Sequence, residues 1–125
     1  MKFKALSLKQ PWANLVVRGQ KTIEVRNWTT NYRGDIVICS SQRPDKKFIY
    51  PDLSREPMGY AIGIVELHDI IEMNILHEHS AMCKKNDGDQ AWILKNPHRF
   101  KTPYPIKGKL SIFDIEIPDY LTELK

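Results

Sequence analysis

Runs of apolar residues broken by polar turns divide the chain into short elements. Residues 2–8 carry Phe3, Ala5, Leu6 and Leu8 and predict a first strand. Gln10 to Gly19 predicts a short helix, with Pro11 suited to its first position and Gly19 just past its end. Trp12, Leu15 and Val16 then share the face that meets the core. Residues 21–28 alternate: Ile23 and Val25 point one way, Thr22, Glu24, Arg26 and Trp28 the other. Residues 31–35 form a turn, and Ile36-Val37-Ile38-Cys39, apolar on both faces, predicts a central strand.

The polar stretch 41–58, with Pro44, Pro51 and Pro57, predicts a loop that can act as a flap or rim over a site. Tyr60–His68 is a strand with Gly63 at a bulge or bend. Residues 74–85 predict a second helix, with Ile75, His79, Met82 and Cys83 on one face and Asn86-Asp87-Gly88 stopping it. Ala91–Lys95 is a short strand, Pro97, Pro103 and Pro105 mark a loop, and Leu110–Ile117 is the last strand. Six strands and two short helices predict an α+β domain built as a β-barrel or strongly curved sheet. The 125 residues fit one domain, 1–125.

Composition narrows the class. A hydrophobic content of 42% supports a packed core and excludes a disordered chain. Nineteen Lys and Arg against fifteen Asp and Glu give a net charge of +4, compatible with a polyanionic partner. Cys39 and Cys83 are far apart and outside any Cys-x-x-Cys pair, so both are expected reduced. No signal peptide and no apolar run near ~18 residues is visible, so the expectation is a cytoplasmic protein without a membrane partner. His79 and Cys83 are four apart, but His77 is off their face and no fourth ligand stands at a metal-site spacing. Neither a metal nor a cofactor is expected, since phosphate-binding glycine loops and common catalytic motifs are also missing.

The segment that carries chemistry is Gly19-Gln20-Lys21-Thr22-Ile23-Glu24-Val25-Arg26, read as G-x-K-x-x-E-x-R at a helix-to-strand corner. Glu24 and Arg26 lie two apart on one strand face, about 6.5–7 Å between Cα atoms. Lys21 faces away from Glu24 in a regular strand, but at a corner its long stem can reach across. Glu24 can accept hydrogen bonds from a base edge, while Arg26 and Lys21 can hold a phosphate or carbonyl oxygen. Trp12 or Trp28 can stack on a base. The competing reading is a salt-bridged, solvated strand face. Glu66 is a further candidate for the same cleft, though an edge or strand-end position explains it better; Ser40 and Ser41 can add hydroxyls there, and a simple strand end explains them equally well.

This octapeptide resembles the signature of ASCH domains, which belong with PUA-like barrels. Leu6-Ser7-Leu8-Lys9-Gln10-Pro11-Trp12-Ala13, Tyr32-Arg33-Gly34-Asp35 and Lys107-Gly108-Lys109-Leu110 are similar to the family's flanking blocks, so the likeness covers nearly the whole chain. It implies a PUA-like β-barrel of about six strands with two short flanking helices, and a cleft for RNA or a nucleobase- or nucleotide-like ligand. Together with the reading of the residues above, the candidate ligand-binding residues are Lys21, Glu24, Arg26, Trp28, Trp12, Arg33, Ser40 and Glu66. Some ASCH proteins resemble amidohydrolases acting on N4-acylated cytidine, and others ribonucleases. The amidohydrolase pattern pairs the motif lysine with a threonine three residues later, where this chain has Glu24. A hydrolytic version here would use Glu24 as base on water and Lys21 as oxyanion holder. A protein-interaction module is the third reading; ligand identity, RNA against DNA, and oligomeric state stay open.

Overall fold

The computed structural model describes residues 1–45 and 57–123. The strands are β1 (Lys2–Leu8), β2 (Ile23–Arg26), β3 (Gly34–Ser40), β4 (Tyr60–Glu72), β5 (Gln90–Pro105) and β6 (Ile112–Glu116). Helix α1 spans Trp12–Val17, a single 3-10 turn Ile75–His77 leads into α2 (Glu78–Ala81), and α3 spans Tyr120–Glu123. The strands form one mixed sheet in the order β2-β5-β4-β3-β1-β6. Part of the predicted loop, residues 46–56, lies outside the described residues.

β3 is interior, as its double-sided apolar pattern predicts: it runs parallel to β1 and antiparallel to β4. Period-two alternation sends Ile36 and Ile38 to one core and Val37 and Cys39 to the other. The first core is capped by Ala13, Val16 and Val17 of α1, the second by Leu121 of α3, which the sequence reading did not foresee. Burial in the second core pushes the Cys39 thiol up to about 12.

The sheet is curved but not closed, so the barrel expectation holds only as far as a strongly bent sheet. β2 and β6 are its two edges. β1 pairs with β6 only as far as Leu6 opposite Ile112. Beyond that pair the Ser7 carbonyl instead accepts a hydrogen bond from Arg26 Nη2 of β2, at 3.1 Å. One side chain thus spans the gap between the sheet's two ends.

Three local expectations are corrected. Pro97, Pro103 and Pro105 lie within β5, not in a loop. β2 pairs only with Gln90–Ile93, so farther along β5 has no partner on that side, where a residue without an N–H is tolerated. Pro97 and Pro103 also fall in bulged stretches of the β4–β5 ladder, with Asn96 at φ 51°. The second helix is shorter than residues 74–85, because Met82 turns into the left-handed region at φ 57°. The face expected to be shared by Ile75, His79, Met82 and Cys83 does not form on one helix, and Ile75 and Met82 are exposed.

Gly63 marks a bulge as expected. A Cβ there would collide with the His98 carbonyl and lie 2.8 Å from Val17 Cγ1, so α1 seats against β4 only because position 63 has no side chain. Gly63→Ala is expected to destabilise the domain by about 1–3 kcal/mol through overpacking; a denaturant midpoint equal to wild type would contradict this seating.

Candidate functional site

The corner between α1 and β2 forms as the spacing suggests. α1 ends at Arg18, and Gly19 takes φ 79°, which turns the chain toward β2. The backbone N–H groups of Gln20 and Lys21 both donate to the Leu15 carbonyl, at 2.9 and 3.0 Å. Lys21 precedes the first residue of β2, so strand alternation does not govern it. Its side chain folds back and is 4% exposed. The ammonium donates to the Ala81 carbonyl of α2, sits 3.8 Å from Glu24 Oε1 and lies 5.3 Å from the centroid of the Trp12 ring. Burial lowers the Lys21 pKa, and attraction to Glu24 opposes this only in part.

Glu24 uses its other oxygen on Arg26, at 3.1 Å from Nε. Arg26 therefore spends Nε on Glu24 and Nη2 on the Ser7 carbonyl, while Nη1 has no partner among the described residues. Both side chains line a cleft of about 790 Å³. Its walls come from the ends of β1 and β3, the start of α1, β2, and residues 107–111 before β6. The cleft thus occupies the opening where the sheet fails to close.

Five cationic side chains line it, Lys9, Arg26, Arg43, Lys107 and Lys109, against the carboxylates Glu24 and Asp45. Trp12 forms part of the wall and its indole N–H donates to Asp45 Oδ2 at 2.7 Å. The Ser7 hydroxyl is buried there without a hydrogen-bond partner among the described residues. It lies 2.6 Å from where a Cβ of residue 108 would stand, so only glycine lets the Lys107–Lys109 loop approach this closely. Leu110, 94% exposed, stands on the rim between Lys109 and Ser111.

The structure therefore brings Glu24, Arg26, Trp12 and Ser40 to one cleft, with Lys21 beneath its wall. Ser40 is buried, and its hydroxyl is committed to the Tyr60 backbone at 3.2 and 3.3 Å. Three expected residues lie elsewhere. Trp28 follows the end of β2, so alternation no longer aims it with Glu24; it packs edge-on against buried Trp92, centroids 4.9 Å apart. Arg33 precedes β3, whose far end reaches the cleft about 20 Å away. Its guanidinium holds the Thr30 and Tyr32 carbonyls at 2.8 Å and approaches Asp69 at 3.5 Å. Glu66 pairs in register with Asp35, near that same distant end. Hydrogen bonds from Asn96 and His68 hold its carboxyl below the usual range.

Lys9, Arg43, Lys107 and Lys109 are not among the candidate site residues of the sequence reading, although Lys9, Lys107 and Lys109 fall in its family-like blocks. The signal was present in Lys107-Gly108-Lys109, two cations about a glycine, but nothing in the sequence tied that tripeptide to β2. His77 accepts from the Asn74 backbone N–H within a capping box. Among the described residues no group of three or more potential metal ligands gathers. No helix among them is long and apolar enough to cross a membrane.

The chain is thus a small α+β domain, an open, strongly bent mixed sheet with a cationic cleft at its unclosed edge. Comparison with known proteins assigns the family. The ASCH domain model matches residues 6–104, and the chain belongs to the ASCH domain family, a PUA-like fold family linked with RNA binding. Activating signal cointegrator 1 from Mus musculus is 31% identical over 127 aligned positions, covering 89% of this chain; the Homo sapiens protein is 28% identical over the same coverage. The chain spans only 22% of the length of these two relatives. The crystal structure of ASCH from Zymomonas mobilis superposes with a TM-score of 0.64 at 15% identity, covering 96% of this chain and 90% of that one. A single-site mutant of that protein gives 0.63 at 14% identity, covering 90% and 89%. At this identity the likeness concerns the fold.

Proposed function

We propose that the domain binds RNA, or a nucleotide-like ligand, in the cleft at the unclosed edge of the sheet. One observation carries this reading: five cationic side chains and two carboxylates converge with an indole on one concave surface. Cations that crowd a concavity repel one another and gain from a bound phosphate. Arg26, held by Glu24 and the Ser7 carbonyl, presents a fixed guanidinium face, which suits a phosphate or carbonyl oxygen. Glu24 is fixed beside it as an acceptor for an amino or imino edge, and Trp12 and Leu110 offer apolar faces to a base. The proposed setting is cytoplasmic, with no membrane and no cofactor involved.

Binding is favoured over hydrolysis by the position of Lys21. At 4% exposure, with its ammonium spent on Ala81 and Glu24, it braces the cleft wall and is not free to hold an oxyanion. The deciding experiment titrates nucleosides, mononucleotides and short oligonucleotides and follows product by chromatography. The expected result is oligonucleotide binding without turnover of RNA or N4-acylated cytidine. Turnover with nucleoside-only binding would replace this reading with the hydrolase.

A further inference from the structure

A second concavity of about 550 Å³ lies away from the cleft, lined by Asn14 and Arg18 of α1, Arg99 and Lys101 of β5, and Phe100, Pro57 and Pro103. Its charge follows from the backbone. Alternation along β5 buries Phe100 and turns Arg99 and Lys101 outward. The bulge at Gly63 seats Val17 against β4, and a Cβ on Gly19 would stand only 3.2 Å from Pro97 Cγ, so the end of α1 is pressed onto β5. That packing fixes Arg18 beside Arg99 and Lys101.

Three cations thus share one groove, and no carboxylate lines it or pairs with any of them among the described residues. Unlike Arg26, they have no anion among the described residues to offset their mutual repulsion. Asn14 is 5% exposed, and its carboxamide has no hydrogen-bond partner among the described residues. The Asn14 amide, at the groove's lining beside three cations, adds a neutral donor that can meet a phosphate oxygen.

We infer that this groove binds the phosphodiester backbone of the same strand whose bases occupy the cleft, a claim that rests on the cleft reading. α1 connects the two surfaces: Trp12 at its start lines the cleft, and Asn14 and Arg18 line the groove. A helix with its side chains is about 10–12 Å across, so a strand leaving the cleft over α1 reaches the groove within a few nucleotides. The cleft reads a short ligand, and the groove extends the footprint.

The test compares a tetranucleotide and a dodecanucleotide of RNA on wild type, on Arg99→Glu with Lys101→Glu, and on the milder Arg18→Gln. Both variants alter exposed side chains, and a thermal melt verifies that each is folded. The reversal should leave tetranucleotide affinity within about twofold while weakening the dodecanucleotide by roughly tenfold or more. The slope of log affinity on log salt should become shallower by about 1.4, two phosphates at about 0.7 each. Arg18→Gln should shift in the same direction by less. Equal losses on both lengths, or none on the longer, overturn the inference while leaving the cleft reading standing. If the wild type does not bind the tetranucleotide at all, the cleft reading fails, and the shared-strand claim with it. Inorganic phosphate separates the sources: saturable binding of it alone, lost in the Arg99 and Lys101 variant, would make the groove a free-anion site and overturn the strand-following claim.

Discussion

Lys21→Ala is expected to lower the melting temperature by on the order of 10 °C. The lysine stem is buried against Trp12, and truncation leaves a cavity that costs about 2–4 kcal/mol. It also leaves the Ala81 carbonyl without its donor. For a chain of 125 residues, each kcal/mol shifts the transition by roughly 3–5 °C. Lys21→Met should lose less than the alanine variant, because it fills the same volume and removes a charge whose desolvation exceeds its attraction to Glu24, although it too leaves the Ala81 carbonyl without its donor. Glu24 keeps Arg26 as partner in both variants. The pH dependence has a definite sign. The folded-state pKa of Lys21 lies below its ordinary value of 10.5, so the unfolded chain binds more protons in the interval between them. Wild-type stability from this group should therefore rise, relative to Lys21→Met, as pH climbs toward 10.5. Melts of all three proteins between about pH 8 and 10.5 check this. A methionine variant as unstable as the alanine one would show that the ammonium's bonds, and not its volume, hold the corner.

Arg26→Ala is expected to weaken oligonucleotide binding by about ten- to a hundredfold, the loss of one charge-assisted contact worth roughly 1.5–3 kcal/mol. Arg26→Lys should recover part of it, since charge returns but the fork that grips Glu24 and the Ser7 carbonyl does not. Glu24→Gln should act more mildly. Glutamine still donates and accepts, so a base edge loses about 1–3 kcal/mol at most. For a ligand held mainly through phosphate, affinity can rise, because one of the cleft's two carboxylates is gone. Isothermal titration of the three variants gives these values, and chromatography of the same mixtures reports turnover. If Glu24→Gln left affinity unchanged but abolished product formed by wild type, Glu24 would be a general base and the binding account wrong.

Most strands were legible because their patterns are one-dimensional. Ile36 to Cys39 must be interior, since no strand exposed on one face can be apolar on both. The corner at Lys21 was legible from the helix-ending Gly19 and the long lysine stem. The prolines of β5 misled, because a proline's tolerance depends on which neighbour strand is missing there, a property of the whole sheet. Trp28 misled for a related reason: alternation holds only inside a strand, and β2 stops at Arg26; Arg33 entered through the resemblance alone, and its turn lies at the far end of β3. Lys9, Arg43, Lys107 and Lys109 come from separate segments, and only the bend of the sheet brings them to Glu24 and Arg26.

The central claim is that the cleft holds a phosphate-bearing strand through its cations. Titration of a short RNA oligonucleotide across a series of salt concentrations tests it most directly. Three to five neutralised phosphates, at about 0.7 each for a single strand, predict a log–log slope of roughly −2 to −3.5. Replacing Lys107 and Lys109 together by glutamine should flatten the slope by about 1.4. An affinity that does not change with salt, or a slope untouched by that double substitution, would contradict the account.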